Sequence, residues 1–63
     1  MLYNQRVEFV LQQLQLQSTV KVSDLSRQLQ VSVDTVRRDL KAMEQQGLIR
    51  CVRGGASMPE SRV

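Results

Sequence analysis

Residues 32–40, SVDTVRRDL, place a hydroxyl, a carboxylate and two consecutive arginines at the start of a helical pattern. Lys41 follows Arg37 by one helical turn, so two like charges are spaced i, i+4. Such a pair is mildly unfavourable in an isolated helix and becomes favourable when a polyanion lies across it. These residues therefore favour a surface that binds an anion.

Positive charge is concentrated in one part of the chain. The 63 residues have a net charge of +3, and residues 37–53 hold five basic side chains against Asp39 and Glu44. Acidic and basic residues elsewhere balance. A basic segment of this kind is typical of proteins that bind nucleic acid. The alternative is a solvated helix face, on which the i, i+4 pair Asp34 and Arg38 only supports the helix.

The residue inventory argues against catalysis and metal binding. The chain has no histidine and one cysteine, so no internal disulfide can form and a zinc site would lack its usual ligands. The acids Asp34, Asp39 and Glu44 are expected on a solvated helix face rather than paired in a pocket. Because polar residues interrupt the N-terminal segment, the sequence predicts neither a signal peptide nor a membrane span there. We expect a cytoplasmic protein that is not an enzyme and holds no cofactor or metal.

Two helices and a strand are expected before the basic segment. The first helix begins near Asn4. The residues of its buried stripe are Tyr3, Val7, Val10, Leu11 and Leu14. Phe9 lies off this stripe and either packs under the edge of the chain or contacts a partner. A very short strand over 20–22 follows, and Ser23 is then expected to cap a brief helix over 24–30.

The third helix carries the candidate site. Ser32 is its predicted N-cap, it runs over 33–46, and Gly47 ends it. The residues predicted to be buried are Val33, Val36, Leu40 and Met43. The residues on the opposite face and its flanks are Asp34, Thr35, Arg37, Arg38, Lys41 and Gln45. Two short helices separated by about three residues are typical of a helix-turn-helix.

Residues 48–58 predict a β-hairpin, because a β-branched run leads into a glycine pair. Its tip is expected at Arg53, Gly54 and Gly55. Cys51 is expected to be a strand residue that faces the small core.

The stretch VSVDTVRRDLKAMEQQGLIRCVRGGA, residues 31–56, resembles the DNA-binding segment of the DeoR family of bacterial transcriptional regulators. The family pattern is S-x-x-T-[IV]-R-R-D-L-x-x-L-E-x-x-G, followed by R and GGA. The chain departs from the family at Met43, where leucine is usual, at Ser18, where glycine is common, and at Arg53, where histidine often precedes the glycines.

This resemblance implies a winged helix-turn-helix, a mainly α fold of three helices with a small β-hairpin in a two- or three-stranded wing sheet. The domain would cover 1–58, with the recognition helix at 33–46 and the wing at 48–58. Residues 59–63 would begin a linker to a C-terminal sensor domain.

The predicted DNA-binding residues are Ser32, Asp34, Thr35, Arg37, Arg38, Lys41, Arg50, Arg53, Gly54 and Gly55. Thr35 and Arg38 are best placed to reach base edges in the major groove, while Asp34 orients Arg38 or accepts from a cytosine. Phosphates are the expected targets of Arg37 and Lys41, and of Ser32, which also caps the helix.

Arg50 and Arg53 are expected to flank the wing, and a glycine pair follows Arg53. Neither Gly54 nor Gly55 has a Cβ, so the backbone is expected to turn tightly and approach DNA closely there.

The function that this resemblance implies is sequence-specific binding of double-stranded DNA as part of a repressor of sugar or carbohydrate metabolism genes. A phosphorylated sugar or related effector would bind only the C-terminal domain. The full-length protein is expected to be a homo-oligomer and this fragment a monomer, because no apolar stripe is left over for a dimer seam. The alternatives are a winged helix that docks proteins and an RNA binder, although the aromatic platforms that stack single strands are missing.

Overall fold

Three helices and three short strands are formed by residues 2–59, the part of the chain that the computed structural model describes. In chain order the elements are α1 (Tyr3–Gln17), β1 (Thr19–Lys21), α2 (Val22–Leu29), α3 (Val33–Gln45), β2 (Arg50–Val52) and β3 (Gly55–Ser57). The strands form one antiparallel sheet in the order β1-β3-β2. The predicted fold class, three helices with a wing sheet, is confirmed. Most of the predicted linker, residues 60–63, lies outside the described residues.

Aliphatic side chains from all three helices meet in one core. The buried apolar residues of the helices are Val10, Leu14, Val22, Leu25, Leu29, Val36, Leu40 and Met43. Phe9 is half-buried and packs against this core, which agrees with packing at the edge of the chain. Val33 was predicted to be buried but is 37% exposed. The reason is that residues 32–34, at the start of α3, lie outside the core.

The start of α2 differs from the prediction. The helix begins at Val22, with Lys21 as an N-cap that makes no side-chain hydrogen bond, and Ser23 lies inside the helix. The Val22 N–H donates to the carbonyl of Gly54 in the wing at 2.9 Å. The wing turn, and not a hydroxyl cap, therefore satisfies one of the free N–H groups at the helix start.

The wing turn is tighter than expected. Arg53 and Gly54 alone connect β2 to β3, and Gly54 has a φ of +78°, in the left-handed region that favours glycine. Gly55 belongs to β3, where it pairs with Val52 on one side and Lys21 on the other. Pairing of β3 with both β1 and β2 thus holds the wing against the helices. None of the helices in residues 2–59 has the length and apolar character needed to cross a bilayer.

Candidate nucleic-acid interface

The turn between α2 and α3 is held by hydrogen bonds to α2. Gln30 ends α2 with a left-handed φ of 58°. The Val31 N–H donates to the Ser26 carbonyl at 3.2 Å, and the Ser26 hydroxyl donates to the Val31 carbonyl at 2.5 Å. These bonds tie the turn to α2 and fix the direction in which α3 departs.

Both ends of α3 are capped as predicted. The Ser32 hydroxyl oxygen accepts from the Thr35 N–H at 3.1 Å and lies 3.0 Å from the Thr35 hydroxyl. At the other end, the Gly47 N–H donates to the Glu44 carbonyl at 2.9 Å and the Leu48 N–H to the Met43 carbonyl at 3.0 Å. With a φ of +80° at Gly47, this pair of bonds is a Schellman motif. The length of α3 is therefore fixed by its own sequence.

The exposed face of α3 keeps its positive charge. Arg37, Arg38 and Lys41 are exposed, as is Arg53 at the wing turn. Within residues 2–59, none of these four cations has an ion-pair partner. The ion pair between Asp34 and Arg38, on which the alternative of a merely solvated helix face depends, is not formed. The four cations, which we call the basic face, are therefore available to an external anion.

A cleft of about 360 Å³ separates α3 from the wing. Arg37 and Lys41 line its helix side, and Val52 and Gly54 line its wing side. Arg38 is exposed and does not line the cleft. Helix α3 consequently presents its cations in two directions around its axis, with Arg37 and Lys41 beside the wing and Arg38 outside the cleft.

Asp39 corrects the prediction that the acids of α3 are solvated. It is only 8% exposed and forms an ion pair with Arg6 of α1, whose Nε donates to Oδ2 at 2.6 Å and whose Nη2 donates to Oδ1 at 3.4 Å. The hydrogen bond to Asp39 raises the pKa of Arg6. Helical spacing was the available signal, because Asp39 lies three residues after Val36 and four before Met43, on the buried side. The partner on α1 could not be identified in that way.

Glu44 connects α3 to the wing, a role that the sequence had not indicated. Its side chain is exposed, but Oε2 accepts from the Cys51 N–H at 3.0 Å. The Cys51 thiol lies 3.6 Å from the Leu40 carbonyl, to which it donates. Burial, and then the negative charge of Glu44 and its hydrogen bond, raise the pKa of this thiol. Helix α3 and strand β2 are thus joined by two hydrogen bonds, both donated by Cys51.

The predicted contact residues are not equally accessible. Eight of the ten are exposed, Thr35 is half-buried and Gly55 is buried. A Cβ at Gly55 would lie 1.9 Å from the carbonyl oxygen of Val20 in β1. Packing within the sheet accounts for this glycine, so we do not retain Gly55 as a contact residue.

The fold and the basic face define the class of this domain, a winged helix-turn-helix of the kind that binds DNA. The match to known families is more specific. The model of the DeoR-like helix-turn-helix domain covers residues 6–62, and the chain belongs to this family. It is therefore a DNA-binding domain of the type found in transcriptional regulators.

Several curated relatives are similar to the chain. The HTH-type transcriptional regulator GolR of Listeria innocua is 48% identical over 67% of this chain and 16% of its own length. The lactose phosphotransferase system repressor of Lactococcus lactis is 35% identical over 90% of this chain and 22% of its own length. The L-fucose operon activator of Haemophilus influenzae is 38% identical over 84% of this chain and 21% of its own length. The chain spans about a fifth of the length of these relatives. No solved structure matches it significantly.

Proposed function

We propose that this chain binds double-stranded DNA sequence-specifically, with α3 in the major groove and the wing on the backbone or the minor groove. The observation that carries the proposal is the basic face, whose four cations have no ion-pair partner within residues 2–59. The phosphates of a DNA backbone would supply the negative charge that these cations lack within the domain. A protein-docking winged helix would not need this concentration of unpaired cations.

The two directions of the cations support a division of roles. Arg38, exposed and outside the cleft, is assigned to base edges together with Asp34 and the half-buried Thr35. Arg37 and Lys41, beside the wing, are assigned to phosphates. The remaining phosphate contacts are assigned to the exposed residues Ser32, Arg50, Arg53 and Gly54.

The biological role is proposed from the relatives. Their names refer to a lactose system and a fucose operon, which supports control of carbohydrate genes; the first is named a repressor and the second an activator. We favour repression, because a bound DNA-binding domain can block an operator without further contacts. A regulator of this kind would act in the bacterial cytoplasm and would not be an enzyme.

We assign effector recognition to a further domain of a longer protein, because the relatives extend far beyond the region that matches. The effector would be a phosphorylated sugar or a related metabolite. The longer protein would be a homo-oligomer and this chain alone a monomer, which sedimentation of the isolated chain can test.

The salt dependence of DNA binding tests the proposal. Fluorescence anisotropy with a labelled random-sequence duplex should give a slope of log K against log salt of about −3 to −5, equivalent to four or five phosphate contacts. A slope near zero, or no binding at low salt, would favour the protein-docking alternative.

Arg38→Ala tests the assignment to bases. Arg27→Ala is the matched control, because Arg27 is an exposed cation paired with Asp24 on α2 and outside the basic face. Arg38→Ala should reduce the preference for a selected duplex over random duplex by about 1–3 kcal/mol. If it instead lowered the affinity for both duplexes equally, Arg38 would be a phosphate contact.

A further inference from the structure

The ion pair between Arg6 and Asp39 is largely buried, with 16% and 10% of the two side chains exposed. The ion pair between Asp24 and Arg27 is different, because 47% and 79% of those side chains are exposed. Taking charges out of water is unfavourable, and well-packed apolar residues in place of a buried pair are often neutral or stabilising. Stability alone therefore does not explain the pair.

The geometry of the pair restricts how α3 can rotate. Two nitrogen atoms of the Arg6 guanidinium donate to the two carboxylate oxygens of Asp39, at 2.6 Å and 3.4 Å. The guanidinium also lies 5.9 Å from the centre of the Tyr3 ring, so α1 holds it from a second side. An aliphatic contact tolerates sliding. A planar guanidinium fork, in which two N–H groups donate to one carboxylate, is satisfied only in a narrow range of orientations.

The orientation of α3 matters most at the residue beside Asp39. Arg38 is adjacent in sequence and projects about 100° away around the helix. Any rotation of α3 that breaks the fork also displaces the Arg38 side chain, and binding constellations tolerate only about 0.5 Å or 10–20° of error.

We propose that Arg6 and Asp39 form a positioning pair, which sets the rotation of α3 and through it the sequence specificity of Arg38. This inference deepens the proposed function and rests on it. Arg6 and Asp39 themselves do not touch DNA in this arrangement.

The test compares specificity with stability. The double variant Arg6→Met/Asp39→Leu replaces the pair by apolar side chains and keeps the net charge. The control Asp24→Ala/Arg27→Ala removes the exposed pair, also at constant net charge. Each 63-residue chain is measured against a duplex selected from a random library by the wild type, against a shuffled duplex of the same composition, and in thermal unfolding.

We expect the apolar variant to unfold cooperatively and to bind the shuffled duplex within about twofold of the wild type, because the basic face is intact. Its preference for the selected duplex should fall about tenfold, the size of one lost base contact. The control should keep its preference. A folded apolar variant with full preference would overturn the positioning role.

Arg6→Lys provides a second test if the apolar variant does not fold. Lysine keeps the charge but lacks the planar fork, so affinity for the shuffled duplex should persist while the preference falls. Full preference in Arg6→Lys would show that charge alone is needed and would overturn the proposal. If the wild type selects no sequence from the library, the proposed sequence-specific function fails, and this inference fails with it.

Discussion

Gly55→Ala is expected to be the most damaging of the three possible Gly→Ala substitutions. Gly47 and Gly54 have left-handed φ angles of +80° and +78°, and a Cβ at either position would meet no atom within 4 Å. At Gly55, a Cβ would lie 1.9 Å from the Val20 carbonyl oxygen and 3.1 Å from the Cα of Lys21. Both are backbone atoms of β1, so no side-chain rotation relieves the overlap and β1 must move away from β3.

The expected magnitudes separate the variants. Alanine in the left-handed region costs about 1–2 kcal/mol, which applies to Gly47→Ala and Gly54→Ala. Overpacking typically costs about 1–3 kcal/mol and occasionally more. A 1.9 Å approach to backbone places Gly55→Ala at or above the top of that range. Because a domain of this size has only about 3–5 kcal/mol of core stability, most of the fold should be lost.

Circular dichroism during heating measures the difference. Each kcal/mol corresponds to about 4–8 °C in Tm for a domain of 60–100 residues. Gly54→Ala should melt cooperatively at a lowered Tm, and Gly55→Ala should show little or no cooperative transition. A Gly55→Ala protein that melts at or above the Tm of Gly54→Ala would refute the packing argument.

Three further predictions concern the caps and the wing contacts. Ser32→Ala removes the acceptor for the Thr35 N–H and should lower the free energy of unfolding by about 0.5–2 kcal/mol in urea titrations. Ser32→Asp keeps an acceptor and should lose less; equal losses would contradict the cap. Glu44→Ala removes the acceptor of the Cys51 N–H and should speed hydrogen exchange at that amide, whereas Glu44→Gln should not; equal rates in both variants would contradict the contact. Since the pKa of Cys51 is raised in the fold, its neutral thiol contributes stability that is complete below the unfolded-state pKa and is lost as pH rises through the folded pKa. The wild type should therefore lose stability relative to Cys51→Ala above about pH 8.5 in urea titrations, and parallel pH profiles would contradict this.

Local signals made much of the fold predictable from the sequence. Leu25 and Leu29 lie one turn apart and are both buried, as the helical period requires. Ser32 and Gly47 mark the ends of α3, because an N-cap acceptor and a left-handed C′ residue act within one turn of the helix. The exposed positions of Arg37 and Arg38 follow from the same period.

The features that were not predicted depend on contacts between distant residues. Arg6 and Asp39 are separated by 33 positions, so their pairing requires the packing of α1 on α3. The start of α2 depends on the carbonyl of Gly54, which lies in the wing. Gly55 was assigned to the turn because glycine pairs are typical of turns, but the approach of β1 determines its role. None of these contacts has a periodic or local signature.

The burial of Asp39 leaves the exposed side of α3 more positive than a count of the charges in this segment indicates. Counting charges over 37–53 subtracts Asp39 and Glu44 from the five basic residues. Asp39, however, is buried and compensated by Arg6 on the side of α3 that faces α1, so it does not offset the cations on the exposed side. Glu44 accepts a hydrogen bond from the Cys51 N–H in β2 and forms no ion pair with Arg37 or Lys41 within residues 2–59. Attraction of a polyanion depends on the field at the surface rather than on the sum of charges. Asp39 and Glu44 thus orient the helix and hold the wing, while the cations of the basic face have no ion-pair partner within residues 2–59.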